Sequence, residues 1–461
     1  MDKSNRITFL NTLSTVLLMG ISFFTAPIFT RLLGDSGYGM LQICTIWASV
    51  FAIVFPLQTQ STLASARVKY PEGELNRYQS SAMGLSLLAF LSCTAGVLIF
   101  RGPISGLLGL EPRLLDLVLV QAFGTFCVNF LNTKFVYEKK AGWNLLISLA
   151  VSLTALALSV ILILRLPMEL RYVGRVQGIA ITYGLMGTAA CLYVLAKGRR
   201  LFDRRYWKYC LLLGVPSVFY CLSDLVLGQC DQVMIQHMLS VAEVGHYGSA
   251  WRFGNIMFVI FEALNRTWCA FFFDEFRNQR EKVLTRTRNF LELYTVLAAG
   301  FLLLCREVYH IYVGPEFWAG TAVVPIFVLS YYLNFLCNFS VNYEYFRQQT
   351  KVVAAVTTAA CILNLGLNYV FIRSFGMIGA ALATAISHAV QLLSHYIYTR
   401  FILGKADYPF GTKLWGKYAL AFAAVFVFAY LTKDLPILRW VLGAAIGVWE
   451  LARIKKRKIL I

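Results

Sequence analysis

Between two long apolar runs the chain places Asp231, then a turn, then Arg252. A charged side chain near a bilayer centre costs at least about 3 kcal/mol by insertion scales, so the two positions need a purpose. With the turn near Ser240 they lie nine and twelve residues from it on antiparallel helices. At 1.5 Å rise per residue their depths differ by only about 4–5 Å, within the compass of an ion pair. Asp224 precedes Asp231 by a heptad and shares its face. Past the turn, Arg252, Asn255, Val259, Glu262 and Arg266 follow at steps of three and four, along one helix face. Guanidinium grips phosphate with a rigid fork of donors and stays charged when partly desolvated. The pattern therefore suits recognition of an anionic group by Arg252 and Arg266. Asp224, Asp231 and Glu262 would pair with the arginines in an empty site or take up a coupling cation. The same residues also suit an ion-pair network that only fixes helix packing.

The elements that must position these groups are membrane helices. The chain has 461 residues, of which 58% are hydrophobic and 14% charged, against about 25% charged in a soluble domain. Its apolar residues gather in runs of about 20, the length that crosses some 30 Å of hydrocarbon. The runs do not alternate polar and apolar, which excludes a transmembrane β-barrel. The predicted class is all-α and polytopic, with about fourteen spans. Six are expected at 8–30, 38–60, 80–100, 114–136, 144–165 and 174–196. Six more follow at 208–236, 244–272, 289–305, 321–345, 351–372 and 377–401, then two shorter ones at 417–432 and 436–452. The expected organisation is a six-helix bundle over 1–200, a second over 201–404, and two additional helices with a basic tail over 405–461.

The net charge of +19 is a topology signal before it is a nucleic-acid signal. With the N-terminus inside, thirty of the 42 Lys and Arg residues fall on the cytoplasmic side and ten outside; Arg252 and Arg266 lie within a span. That is the positive-inside asymmetry, with both termini cytoplasmic, and no nucleic-acid partner is expected. The first apolar run exceeds the h-region of a signal peptide and is expected to remain as a helix. Eleven scattered cysteines and five dispersed histidines form no metal-ligand spacing, so neither a metal nor another cofactor is expected. No phosphate-cradling glycine motif or nucleophile elbow occurs, and the short loops leave no room for a catalytic domain. An enzyme is not expected.

The two sets of six look related. Tyr38-Gly39 and Tyr247-Gly248 differ by 209 positions, as do Asn129-Phe130 and Asn338-Phe339. An even number of spans per half gives a parallel repeat about the membrane normal, with a substrate site expected between the halves. Polar stripes run along the fourth span (Gln121, Thr125, Asn129, Asn132), the tenth (Ser330, Asn334, Asn338, Asn342) and the eleventh (Thr357, Asn364, Asn368). Each stripe suits either a wet interior or hydrogen bonds between helices, worth about 0.6 kcal/mol apiece.

Four stretches carry a family resemblance: "PIFTRLLGDSGYG", "DQVMIQHMLSVAEVGHYGSAWRFGN", "VGPEFWAGTAVVPIFVLSYYLNF" and "ILNLGLNYVFIRSFGMIGAALATAIS". Together the chain resembles the polysaccharide transporters of the multidrug/oligosaccharidyl-lipid/polysaccharide exporter superfamily over most of residues 1–400. The resemblance implies two pseudo-symmetric six-helix bundles, the first two helices of each lining a cavity. It implies alternating-access flipping of an undecaprenyl-pyrophosphate-linked oligosaccharide to the outer leaflet of a bacterial cytoplasmic membrane, for capsule, O-antigen or exopolysaccharide. Coupling to Na⁺ or H⁺, a monomer, and association with polysaccharide assembly proteins accompany it. The family's paired elements fall on Arg31, Gly34, Tyr38 and Gly39, and on Asp231, Gly245, Tyr247 and Arg252. Arg373 stands where the family's asparagine motif usually has proline. Lipid II flipping, cation-coupled drug export and, less favoured, glycan polymerisation are the alternatives.

The charge map makes a direct prediction. A single cysteine placed at Arg200, in the basic "KGRRLFDRRYWK" segment, should stay unlabelled by an impermeant maleimide in intact cells and react after the membrane is opened. Labelling in intact cells would invert the topology.

Overall fold

The computed structural model describes residues 3–403, 408 and 410–457, and among these every regular element is helical. Residues 404–407 and the end of the basic tail, both part of the cytoplasmic charge expectation, lie outside the described residues. The first half comprises α1 (Lys3–Val54), α2 (Leu63–Lys69), α3 (Glu72–Ile99), α4 (Arg101–Leu108), α5 (Pro112–Tyr137), α6 (Ala141–Leu164) and α7 (Arg171–Gly198). There follow α8 (Arg204–Met238), α9 (Val241–Glu275), α10 (Arg280–Tyr312), α11 (Val324–Phe346), α12 (Thr350–Ile397), α13 (Thr412–Leu431) and α14 (Pro436–Arg457).

Two of these are each a pair of predicted spans. α1 bends at Gly34 (φ 68°) and α12 at Gly376 (φ 60°), where the sequence reading expects loops. A positive φ is nearly free for glycine and strained for other residues, so one residue replaces a loop. With α2 and α4 too short to span, counting each bent helix as two gives fourteen long helical segments, the number of spans expected. By length and composition alone nine described helices suit a bilayer, with α1 and α12 counted once each. α10 is not among the nine, α14 carries too much charge, and the apolar part of α13, Trp415–Leu431, is short.

The described chain forms two compact units, Met1–Gly245 and His246–Ile461. In the first, α5 lies against α7 and α1. A Cβ on Gly124 of α5 would sit 2.1 Å from the Tyr183 carbonyl oxygen of α7, and one on Gly187 would sit 2.4 Å from Gly124 Cα. Helix association in lipid relies on such close approach, since burying apolar surface gains nothing from hydrocarbon. The second stretch of α1 meets the start of α9 in the same way: a Cβ on Gly39 would fall 2.0 Å from the Val241 oxygen, and one on Gly245 would fall 2.2 Å from the Asp35 oxygen. The Tyr38 and Tyr247 rings beside these contacts are both buried, as are Phe130 and Phe339 of the other repeated pair.

The second unit has an aromatic core. Trp268 of α9 stacks on Phe272 at 4.9 Å and meets Phe339 of α11 edge-on at 5.0 Å. Its indole N–H donates to Thr287 Oγ1 at 3.0 Å, so the buried nitrogen is satisfied. Where charge is buried it is paired. His395 Nδ1 of α12 lies 2.9 Å from a Glu344 carboxylate oxygen of α11, with both side chains fully buried, and His388 Nδ1 lies 3.1 Å from the Ser330 carbonyl oxygen. α13 and α14 pack on α10. There the buried Arg439 grips Glu307 with both terminal nitrogens and donates to the Leu303 and Thr432 carbonyls at 3.0 and 3.1 Å. Arg453 pairs with Glu292 further along α14.

Arg439 is thus the main polar fastening of the last two helices. Arg439→Met should lower stability by about 3 kcal/mol, the low end for breaking a buried pair because Glu307 keeps some solvent. Thermal unfolding in detergent measures it, and an unchanged Tm would remove Arg439 from that role.

Candidate functional site

α9 sorts its residues by face. Phe253, Met257, Phe261, Trp268 and Phe272 are buried and pack on α10 and α11: Phe253 lies 5.3 Å from Tyr309, Phe261 5.9 Å from Phe335, and Trp268 6.1 Å from Phe290. At 100° per residue these positions fall on one side of the helix, and the predicted stripe falls on the other. On that side Arg252, Asn255, Val259 and Glu262 are half-buried and Arg266 is exposed. Among the described residues, Asn255, Glu262 and Arg266 have no hydrogen-bond or ion-pair partner. Glu262 and Arg266 stand at the i,i+4 spacing that permits a pair on an exposed helix, yet they form none.

α8 presents its acids from a helix held at both ends. Near its start, Tyr206 and Cys210 are buried against Tyr70 and Tyr78. A Cβ on Gly214 would come within 2.5 Å of the Leu57 oxygen. Near its end, Gln236 donates to the Leu108 and Gly109 carbonyls at 3.2 and 3.1 Å, and Ile235 is buried. From Val215 to Cys230 no residue is buried, and Tyr220 is 75% exposed. Pro216 falls at the head of this stretch, where it removes a backbone donor inside the helix. Asp224 lies eighteen residues, about five turns, beyond Tyr206 and seven before Asp231, so all three share a face. Tyr206 and Asp231 are buried on that face, whereas Asp224 is exposed and has no partner among the described residues. A Gln232 backbone N–H donates to Asp231 Oδ1 at 2.9 Å.

The remaining predicted positions divide. Arg31 is exposed just before the Gly34 bend and donates to the Pro27 carbonyl at 3.0 Å. Asn129 is exposed on α5. Asn338 is half-buried and spends its amide on a neighbouring helix, donating to Asn265 Oδ1 of α9 at 2.5 Å. Asn342 next to it donates to the Asn338 carbonyl at 2.9 Å and accepts from Cys269. The eleventh-span stripe is likewise internal, with Asn368 donating to Asn364 at 3.0 Å and Gln391 to Thr357 at 3.2 Å. Of the three asparagine stripes, that of α5 alone keeps an exposed amide. Sequence reasoning missed Glu344 as the partner of His395, Arg439 as a fastening, and Lys134 as a buried amine. Each is a charge inside or at the end of an apolar run. The described residues hold no group of three or more His, Cys, Asp or Glu placed to bind a metal.

A family described as "Polysaccharide biosynthesis protein" matches residues 5–267. The probable low-salt glycan biosynthesis flippase Agl15 of Haloferax volcanii is 24% identical over 416 residues, 84% of this chain and 82% of that protein. Lsg locus putative protein 1 of Haemophilus influenzae is 20% identical over 354 residues, covering 74% and 85%. Among solved structures, lipid II flippase MurJ in an inward closed conformation superposes with a TM-score of 0.73 at 15% identity, over 98% of this chain and all of that one. An inward-facing multidrug resistance MATE family transporter of the MOP superfamily superposes with a TM-score of 0.62 at 16% identity, over 86% and 95%. These two likenesses establish the fold.

The two faces of α9 should respond differently to substitution. Arg266→Gln removes an unpartnered group and should change stability by no more than about 0.5 kcal/mol. Trp268→Ala empties the aromatic core and should cost about 3–5 kcal/mol. Unfolding of the purified protein distinguishes them; a large loss on Arg266→Gln would make the stripe structural.

Proposed function

The chain belongs to the polysaccharide biosynthesis protein family, and on that premise we propose that it is a flippase for lipid-linked oligosaccharides. It moves undecaprenyl-pyrophosphate-linked repeat units from the cytoplasmic to the outer leaflet of a bacterial cytoplasmic membrane by alternating access, for assembly of a surface polysaccharide. The observation that carries the reading is the unpartnered polar face of α9, Asn255, Glu262 and Arg266, continuing from Arg252. Ions in a spanning helix face water-filled space or protein, since hydrocarbon offers them nothing. Arginine is the residue suited to a pyrophosphate, because it stays charged and offers a planar fork. The exposed Arg31 and Asn129 suit the same path, with Asn129 toward sugar hydroxyls.

The acids have a different task. In this reading Asp224, exposed, and Glu262, half-exposed, take up the Na⁺ or H⁺ that drives the cycle; neither has a hydrogen-bond or ion-pair partner among the described residues. Asp231 and Arg252 act as a switch in this reading: pyrophosphate competes for Arg252 and releases Asp231. The likeness to a flippase of lipid II bears on fold alone, and the short extramembrane segments offer no platform for glycan polymerisation. The protein works as a monomer in this scheme, beside polysaccharide assembly proteins.

Deleting the gene should trap undecaprenyl-linked repeat units on the cytoplasmic face and abolish surface polysaccharide. Complementation with Arg266→Gln should fail at wild-type levels of folded protein. Asp231→Asn combined with Arg252→Gln should recover the stability lost in either single variant and still not restore export. Export by all of these variants would refute the assignment of the polar face to the substrate path.

A further inference from the structure

A further site, built from none of the residues discussed on α8 and α9, lies in the first unit. A cavity of about 320 Å³ opens where α2, α5 and α7 end, lined by Arg67, Lys134, Lys140 and Lys197 with Glu72 and Glu138. Four basic and two acidic groups leave it two positive charges in excess. Its floor is ordered. The Lys134 side chain is 2% exposed, and its ammonium donates to Asn76 Oδ1 at 2.8 Å, to Gln79 and to Glu138 at 2.6 Å. Glu138 also takes Lys140 at 2.6 Å. Burial pushes the Glu138 carboxyl upward, and the two lysines more than offset it, holding it below its ordinary value. Among the described residues Arg67 and Lys197 have no acidic partner.

The positive-inside rule asks for charge in a loop and nothing more. It gives no reason to bury an amine and fix it with two amides and a carboxylate, at a desolvation cost. Nor does it explain what adjoins the cavity. An apolar groove of about 410 Å³ continues from it between α5, α6 and α7, sharing Lys140 and Tyr193 and lined by Leu131, Phe135, Trp143 and Met186. Tyr193 at the junction and Trp143 in the groove are both exposed, as aromatic side chains are at the headgroup level of a membrane. A basic pocket opening into a hydrocarbon-lined groove has the polarity of a lipid.

We propose that this is a binding site for an anionic glycerophospholipid of the leaflet the basic loops face. The headgroup phosphate sits between Arg67, Lys140 and Lys197, and one acyl chain lies in the groove under Trp143. Basic pockets between spanning helices on the cytoplasmic side suit such headgroups. The two excess charges match a headgroup with two phosphates best. The site is independent of what the transport path carries.

Native mass spectrometry of the purified full chain tests it, with cardiolipin, phosphatidylglycerol, phosphatidylcholine and inorganic pyrophosphate as probes. Cardiolipin and phosphatidylglycerol should be retained several-fold more than phosphatidylcholine. Arg67→Gln with Lys197→Gln should cut that retention several-fold at unchanged Tm, and Trp143→Ala should weaken it too. Removing two charges from the other unit, Arg288→Gln with Lys417→Gln, should leave it alone. Equal retention of phosphatidylcholine, or equal loss in the control pair, would overturn the site. Pyrophosphate binding as well as cardiolipin, with Trp143→Ala silent, would overturn the lipid assignment.

Discussion

Hydrocarbon has no partner to offer an ion, and that constraint organises the charged residues of this chain. They meet it in three ways. Glu344 with His395 is paired and fully buried, and the buried Arg439 is paired with a half-buried Glu307, so each group finds its partner within the protein. Lys134 is buried but wired by two amides and a carboxylate at a helix end. Asp224, Glu262 and Arg266 do neither: they have no hydrogen-bond or ion-pair partner among the described residues and are partly or fully exposed on helices long enough to span. A membrane protein sheds such groups unless they line an aqueous path. The third class is the one the proposed flippase reading assigns to the substrate path, and the first two show that the chain has pairing available elsewhere.

The backbone answers the same constraint. Every peptide group inside hydrocarbon must bond within the chain, which favours continuous helix over loop. α1 and α12 accordingly turn on single glycines, Gly34 and Gly376, and continue as helix on either side. Arg373, standing where the family usually has proline, lies just before the second bend, its guanidinium 4.0 Å from the centre of the Tyr369 ring. The bend is made by Gly376 instead. Close approach of helices is bought with glycine as well, at Gly124 with Gly187 and at Gly39 with Gly245.

Much of this was legible in the sequence because the signals were long. Runs of about twenty apolar residues fix a span whatever packs on it, and the fourteen segments follow. The face of α9 was legible because steps of three and four identify one side of a helix without knowledge of its neighbours. What stayed hidden depended on partners far along the chain. Nothing near Asn338 indicates that its amide goes to Asn265, seventy-three positions earlier, and nothing near His395 points to Glu344. The bend positions were hidden for another reason: a glycine in an apolar run reads equally as a packing contact or as a hinge, and only φ separates them.

The contrast between α8 and α9 carries the argument one step further. α9 is secured along its length by an aromatic face, so its polar stripe is presented from a rigid support. α8 is fastened at Tyr206–Gly214 and at Ile235–Gln236, with nothing buried between Val215 and Cys230. A segment with few buried contacts opens and bends at low cost relative to its surroundings, and Pro216 has already removed one of its backbone bonds. Asp224 rides on that compliant stretch, while Asp231 sits at its fastened end. The same helix thus holds one carboxylate free to follow a bend and another fixed against the fold. Two acids a heptad apart, identical in chemistry, are assigned different mechanical roles by what packs around them.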